Sequence, residues 1–310
     1  MPKRILVVGS VNMDLVMRMN RMPGPGETLL GKDYAFIPGG KGANQAVACA
    51  RLGGQVGFVG CVGQDANGQR LIDGFAAEGI DTSFIHHVEE PTGLAAIPVE
   101  ENGQNRIVVF SGANHSIRAE HVEAAMAHRW DALLLQLEIP LPVVYAAVEM
   151  GKRKGIPVVL DAGPATRLAM EKLQGIDILS PNETETETLT GLSTGEDGKD
   201  EAAARALLRQ SGAKAVVLKL GERGALLCEN GVCTRYPAFR GLPVVDTTAA
   251  GDGFTAALAL RQAMGNTWEV SMAYANAVGA HCVSRSGAQP SMPTSEEIED
   301  FLKERLKIQV

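Results

Sequence analysis

Over most of the chain, short runs of Val, Ile, Leu and Ala alternate with segments whose apolar residues recur every third or fourth position. Runs of the first kind suit strands buried on both faces, and segments of the second kind suit helices that bury one stripe. Their alternation is the pattern of βαβ units, so it predicts an α/β fold with a mostly parallel sheet flanked by helices. The predicted strands are Ile5 to Gly9, Gln55 to Val62, Ala132 to Glu138, Pro157 to Asp161, Ile176 to Ser180, Ala215 to Leu220 and Ala225 to Cys228. The predicted helices are Asn44 to Leu52, Asn67 to Glu78, Ala119 to Ala127, Pro142 to Lys154, Glu183 to Thr190, Glu201 to Gln210, Gly253 to Met264, Trp268 to Ser284 and Ser295 to Lys307.

Two segments break the alternation, 12–38 and 92–111. In the second, β-rich runs flank Asn102-Gly103, a strong hairpin signal. Together the segments predict a small sheet beside the main one. Such a layer cannot bury both faces alone, so it should cover a cleft, pair with a second copy, or both. With no internal repeat or low-complexity linker, residues 1–310 read as a single domain carrying this small sheet as a lid.

Charge and cysteine content narrow the function classes. A net charge of -7 argues against a nucleic-acid or anionic-membrane surface, either of which needs clustered Lys and Arg. The five cysteines are odd in number and scattered without CxxC spacing, which points to neither a disulfide framework nor a zinc site and fits a reducing cytoplasm. Ile5 to Val8 is too short for a signal core, and no apolar run is long enough to span a membrane. The expected partners are therefore small molecules.

The densest chemistry lies from Asp246 to Leu258, DTTAAGDGFTAAL, where an acid and small residues meet a predicted helix start. Ala249, Ala250 and Gly251 have almost no side chain, so backbone N–H groups can face an anion while the helix dipole favours its charge. Asp252 sits among those donors as either a base or an ordinary first-turn acid. The helix dipole predicts a lowered pKa for it. Gly39 to Asn44, GGKGAN, marks a second turn able to approach a ligand: Lys41 could bind an anion, and Asn44 could cap a helix and hydrogen-bond a hydroxyl.

Asn12, Asp14 and Glu138 fall at carboxyl ends of presumed strands, the edge where α/β sheets bind ligands; each is also an ordinary loop residue. Asn182-Glu183-Thr184-Glu185 is a capping arrangement, or a pair that positions phosphates through magnesium and water. The stretch Gly26 to Asp33 nearly fits a P-loop, but Asp33 replaces the required hydroxyl, and neither a strand before it nor a helix after it supports that reading.

The ordered pieces GSVNMD from Gly9, GGKGANQAVA from Gly39, VGQDANG from Val62, PTG from Pro91, SGAN from Ser111, LLLQLE from Leu133, PNETE from Pro181, DTTAAGDGF from Asp246 and GAQPS from Gly287 resemble the ribokinase-like carbohydrate kinases, also called the phosphofructokinase-B family, along almost the full length. The resemblance implies transfer of the γ-phosphoryl group of ATP to the 5-hydroxyl of D-ribose. 2-Deoxyribose, fructose or a nucleoside are alternative acceptors, and a non-catalytic sugar-binding regulator is the rival of another class. It implies Asp252 as base, the amides around Ala250 to Asp252 as anion hole, and Asn12, Asp14, Gly40, Lys41, Asn44 and Glu138 as sugar contacts.

Asn182, Glu185, Lys219, Gly221, Gly224 and Asn276 would serve ATP, with Glu185 on the magnesium side. The resemblance further implies a potassium-type activating cation at Asp246, Thr248, Cys282, Arg285, Gly287 and Ser291, and a homodimer through the lid. The chain departs from the family pattern at Lys219, where a hydroxyl residue is common, and at Asp161, which replaces an asparagine.

Overall fold

The computed structural model describes residues 2–195 and 198–306. A nine-stranded sheet runs in the order Val232–Tyr236 (β13), Ala225–Glu229 (β12), Ala215–Lys219 (β11), Ile178–Ser180 (β10), Val158–Asp161 (β9), Ala132–Leu135 (β8), Arg4–Val8 (β1), Gln55–Gly63 (β4) and Ile85–Val88 (β5). All neighbours are parallel except β11 with β12 and β12 with β13. The predicted α/β class is therefore the observed one.

Period-two alternation along these strands divides the interior into two cores. Ile5 and Val7 of β1 point to one face, with Phe58, Leu134, Val159 and Val217, under the helices Lys41–Arg51, Ala250–Ala263 and Trp268–Val283. Leu6 and Val8 point to the other, with Val59, Leu133, Leu135, Leu160 and Val216, under the helices Ala119–Met126, Leu141–Lys154 and Lys199–Ser211. Unbroken aliphatic runs are what a sheet covered on both faces requires.

The two irregular segments form one four-stranded sheet in the order Asp33–Gly39 (β3), Asn12–Met19 (β2), Gly93–Glu100 (β6) and Val108–Phe110 (β7). β6 and β7 pair antiparallel around the Asn102-Gly103 turn, where Gly103 takes φ 84°. β3 runs through Gly39 and Gly40 straight into the helix Lys41–Arg51.

Three expectations need correction. The strand from Ala132 stops at Leu135, where pairing with Val8 and Leu160 ends, so Glu138 lies beyond the strand and not at its tip. The helix expected from Asn44 begins at Lys41: Gly40, at φ 90°, is the residue before it, and Asn44 is inside the first turn and caps nothing. A positive φ that only glycine tolerates well lets the chain turn into the helix early. The strands β5 and β13 were not expected. β13 follows a second hairpin turn at Asn230-Gly231, and its VCTRY sequence hides it by mixing apolar and polar residues.

The helix from Ser295 is described to Leu306, and Lys307, its expected end, lies outside the described residues.

Candidate active site

The backbones of Gly9 and Gly42 cross so closely that a methyl group on Gly42 would lie 2.8 Å from Gly9 Cα. This crossing seats the helix Lys41–Arg51 against β1. Its inner face packs on the helix Ala250–Ala263, where the Cys49 thiol lies 3.6 Å from the Ala256 carbonyl oxygen. Residues about 200 positions apart in sequence thus meet at two helix starts.

Asp252, 4% exposed, lies in the first turn of Ala250–Ala263. Asn44 Nδ2 donates to its Oδ2 at 2.9 Å, Gln45 Nε2 donates to Oδ1 at 3.4 Å, and Lys41 Nζ stands 3.5 Å from Oδ1. Ala249 precedes the helix in the left-handed region at φ 60°, a conformation costly for a residue with a Cβ. Of the small residues expected to form the anion hole, Ala250 gives its N–H to the Thr247 carbonyl at 3.4 Å, whereas the N–H groups of Gly251 and Asp252 have no partner among the described residues. Two of the three amides expected as the anion hole, those of Ala250 to Asp252, are therefore free donors.

The expected lowering of the Asp252 pKa is not observed. Burial pushes it up, and Asp161 and Glu138 add to this; Lys41 and the Asn44 hydrogen bond pull against them. Desolvation of a buried carboxylate outweighs the dipole. For Lys41, burial disfavours the charge, but Asp252, Asp161, Glu138 and Glu185 together outweigh it and hold the ammonium protonated.

Asn12, Asp14 and Glu138 converge beside Lys41. Glu138 Oε2 accepts from Ser10 Oγ at 2.6 Å and from the Lys41 N–H at 3.0 Å. Asn12 Oδ1 accepts from Asn114 Nδ2 at 2.7 Å. Asp14, the third residue of β2, has its carboxyl pushed up to about 7, first by burial and then by Glu138 and Asp252. Asn44 Oδ1 is buried without a hydrogen-bond partner, a free acceptor next to the base.

Asn182 and Glu185 form the capping box: Asn182 Oδ1 accepts from the Glu185 N–H at 2.8 Å, and Glu185 Oε2 from the Asn182 N–H at 2.7 Å. Glu185 is nevertheless buried, and a methyl group on Gly163 would sit 2.6 Å from its Oε1 and 2.7 Å from Lys41 Nζ, so the acid also faces the site. Asn182 bridges to Lys219, whose N–H donates to the Pro181 carbonyl at 2.8 Å. Among the described residues no cluster of three acids, histidines or cysteines could enclose a metal. One carboxylate with room for phosphate oxygens and water suits magnesium carried on a nucleotide.

Gly221 opens the turn between β11 and β12, with no atom near the place a Cβ would occupy. Gly224, at φ 86°, lies against the Tyr236 carbonyl. Asn276 spends its Nδ2 on the carbonyls of Tyr236 at 3.3 Å and Pro237 at 3.2 Å, so it braces that segment.

Asp246 ties together the two limbs of the expected monovalent-cation loop, accepting from the Thr248 N–H at 2.9 Å and the Gly287 N–H at 2.9 Å. Burial works against its charge, but these hydrogen bonds prevail and lower its pKa. Cys282 and Ser291 are fully buried beside the loop, while Arg285 turns its guanidinium to Glu297 at 2.6 Å. A carboxylate is an oxygen donor of the kind a hard cation takes.

Sequence reasoning passed over Gln45, Gln136, Thr255 and Asn114, all buried in or beside the site, noted Asp161 only as a departure, and took Lys219 as a departure on the ATP side. Gln136 carried a readable signal, a lone amide in the apolar run LLLQLE. The two departures meet: Lys219 Nζ pairs with Asp161 Oδ2 at 2.8 Å.

Buried Asp252 beside free helix-start amides, with acids and amides on one flank and Lys219 and Glu185 on the other, is an arrangement that suits a phosphotransferase accepting an alcohol. The chain matches the pfkB family carbohydrate kinase description over residues 2–295, and it belongs to that family. It is 39% identical over 306 residues to the ribokinase of Haemophilus influenzae, covering 98% of this chain and 99% of that protein. To the deoxyribokinase of Salmonella typhi it is 36% identical over 302 residues, covering 96% and 98%. The structure of Arabidopsis thaliana ribokinase complexed with ribose and ATP superposes with a TM-score of 0.91 at 36% identity, covering 98% of this chain and 99% of that one.

Proposed function

We propose that this kinase transfers the γ-phosphoryl group of ATP to the 5-hydroxyl of D-ribose, with Asp252 as the base. The observation that carries the reading is the buried Asp252 carboxylate, held by Asn44 at 2.9 Å beside the unpartnered Gly251 and Asp252 amides. Likeness to the H. influenzae and A. thaliana ribokinases over nearly whole chains supports ribose as acceptor.

Asn12, Asp14, Asn44 and Glu138 hold the sugar hydroxyls, with Gly40 making room for the ring at the turn. As the hydroxyl oxygen bonds to the γ-phosphorus and the bond to ADP breaks, the hydroxyl proton passes to Asp252, whose raised pKa strengthens it as a base. The Gly251 and Asp252 amides and Lys41 meet the charge on the moving group, and such matched donors carry most of the catalysis in a loose transition state. Asn182, Glu185, Lys219, Gly221 and Gly224 receive ATP, with Asn276 bracing their rim.

Magnesium, when bound, neutralises phosphate charge, and Glu185 is the residue placed to hold it through water. A potassium-type cation at the Asp246 loop would steady the helix start that carries the amides. The four-stranded sheet acts as a lid and as the contact between two subunits.

The deoxyribokinase relative supports 2-deoxyribose as the second reading. The test compares ribose, 2-deoxyribose, fructose and adenosine with ATP and magnesium. The highest kcat/KM is expected for ribose. A higher value for 2-deoxyribose would select the second reading, and binding of sugar without release of ADP would overturn both.

A further inference from the structure

Beneath the proposed base lies a buried polar chain that none of the steps above uses. Asp161, at the carboxyl end of β9, is wholly buried and accepts four donors. Its Oδ2 takes Lys219 Nζ at 2.8 Å, Thr255 Oγ1 at 2.9 Å and Gln45 Nε2 at 3.1 Å, and its Oδ1 takes the Gly163 N–H at 3.0 Å. Gln45 is the link to the base, since the same Nε2 stands 3.4 Å from Asp252 Oδ1. Gln45 is itself fixed, because Gln136 Nε2 donates to its Oε1 at 2.6 Å.

At the other end, Lys219 Nζ is 3.4 Å from Thr255 Oγ1 and would be 3.7 Å from a methyl group on Gly251, so it stands at the rim of the free amides. An ammonium has three N–H donors, and with two engaged, one is left for a phosphate oxygen.

We propose that Asp161 is a positioning residue for phosphoryl transfer: it anchors the Lys219 ammonium beside the amide nest and, through the shared Gln45 amide, fixes the Asp252 carboxylate facing the acceptor. The inference rests on Asp252 being the base. A lone buried carboxylate here would repel Asp252 and the incoming phosphate alike, so the Lys219 partner is what makes Asp161 tolerable. When a phosphate oxygen draws on Lys219, Asp161 loses part of its counter-charge, and its repulsion raises the proton affinity of Asp252 as the acceptor hydroxyl must lose its proton.

The charged groups facing this pair are Lys41, Glu138 and Asp14 around Asp252, Lys41 and Lys219 around Asp161, and Glu185 beyond them. Burial works against ionised Asp161, but Lys219 and Lys41 hold its pKa down, so it stays charged across the working pH range.

The test is the pH profile of kcat, with KM for ATP and for sugar, in Asp161→Asn, Lys219→Met and the double variant. Asp161→Asn removes a negative neighbour and leaves Lys219 near the base, so the acid limb should move down by about one pH unit. Its kcat should fall by roughly 10 to 10², the scale of a misplaced catalytic group. Lys219→Met should move the limb up and raise KM for ATP without raising KM for sugar. In the double variant the limb should return toward that of the unaltered enzyme while the ATP defect persists.

An unmoved limb in either single variant, or a double variant whose limb stays as far down as in Asp161→Asn, overturns the proposal. Should Asp161→Asn fail to fold, Lys219→Met decides alone. Asp252→Asn serves as the control: normal turnover there removes the base itself, whereas a dead Asp252→Asn with an unmoved Asp161→Asn profile removes only this proposal.

Discussion

The two sheets treat buried charge in opposite ways. At the carboxyl edge of the large sheet, Asp161 is paired with Lys219, and Asp252 stands 3.5 Å from Lys41. On the small sheet, Asp14 has no cation paired with it among the described residues, and burial first, then Glu138 and Asp252, push its carboxyl up to about 7. The large sheet is finished in the absence of ligand, with each acid already held in place. The small sheet presents an acid that only sugar hydroxyls would satisfy. Preorganisation is thus concentrated where we place phosphoryl transfer, and adaptability where we place capture of the acceptor.

The comparison breaks most visibly at the base. Asp252→Asn should lower kcat by roughly 10² to 10⁴, the scale of a positioned acid–base group, with a modest change in sugar affinity measured by titration. If turnover stayed near normal, the finished edge would have no catalytic meaning.

Asp14→Asn sharpens the contrast from the other side. Losing a charged acceptor for sugar hydroxyls should raise KM for sugar by roughly 10- to 100-fold, from ~1.5–3 kcal/mol per such hydrogen bond, with kcat little changed. The pKa of Asp14 is raised on folding, so this acid favours the fold at low pH and loses that contribution as pH rises through about 7. The variant should therefore be more stable than the unaltered chain at pH 8, by roughly 1–3 kcal/mol, and equally stable near pH 4. Sugar affinity of the unaltered protein should weaken as pH falls through about 7, and this dependence should vanish in the variant. A pH-independent affinity would show that Asp14 is ionised throughout.

Legibility follows the same division. Strands such as Gln55–Gly63 and the helix Glu183–Thr190 were readable because their apolar period or capping residues act within a few positions. Asp252, Lys41 and Asn44 were readable because small residues and an acid mark a ligand-facing turn. Gln45, Thr255 and the Asp161–Lys219 pair were not, since each sits at an ordinary helix or strand position and acquires a role only when segments 58 to 116 residues apart meet. The sign of the Asp252 shift was missed for the same reason, because burial is a property of packing and outweighs the local helix dipole.

The smallest expected effect concerns the free edges. The outer strand of the large sheet, β13, carries Arg235, which pairs with Asp200 and Glu201 at 3.0 Å each, and such charge discourages strand addition. The outer strand of the small sheet, β7, is Val108-Val109-Phe110, and all three side chains are at least half exposed, at 53%, 50% and 56%. Alternating residues point to opposite faces, so exposure of three in a row leaves both faces of this strand uncovered. Ile107, just before β7, adds to this exposed apolar surface, and Tyr34 is exposed on β3 at the opposite edge of the sheet. A second copy seated there would cover what β13 protects with charge. Replacing both Val108 and Phe110 with lysine should shift sedimentation from dimer to monomer mass, raise KM for sugar a few-fold and leave kcat nearly unchanged, because Asp252 and the amides beside it belong to the helix Ala250–Ala263 and not to the small sheet. A chain that already sediments as a monomer at assay concentration would mean that the lid closes without a partner.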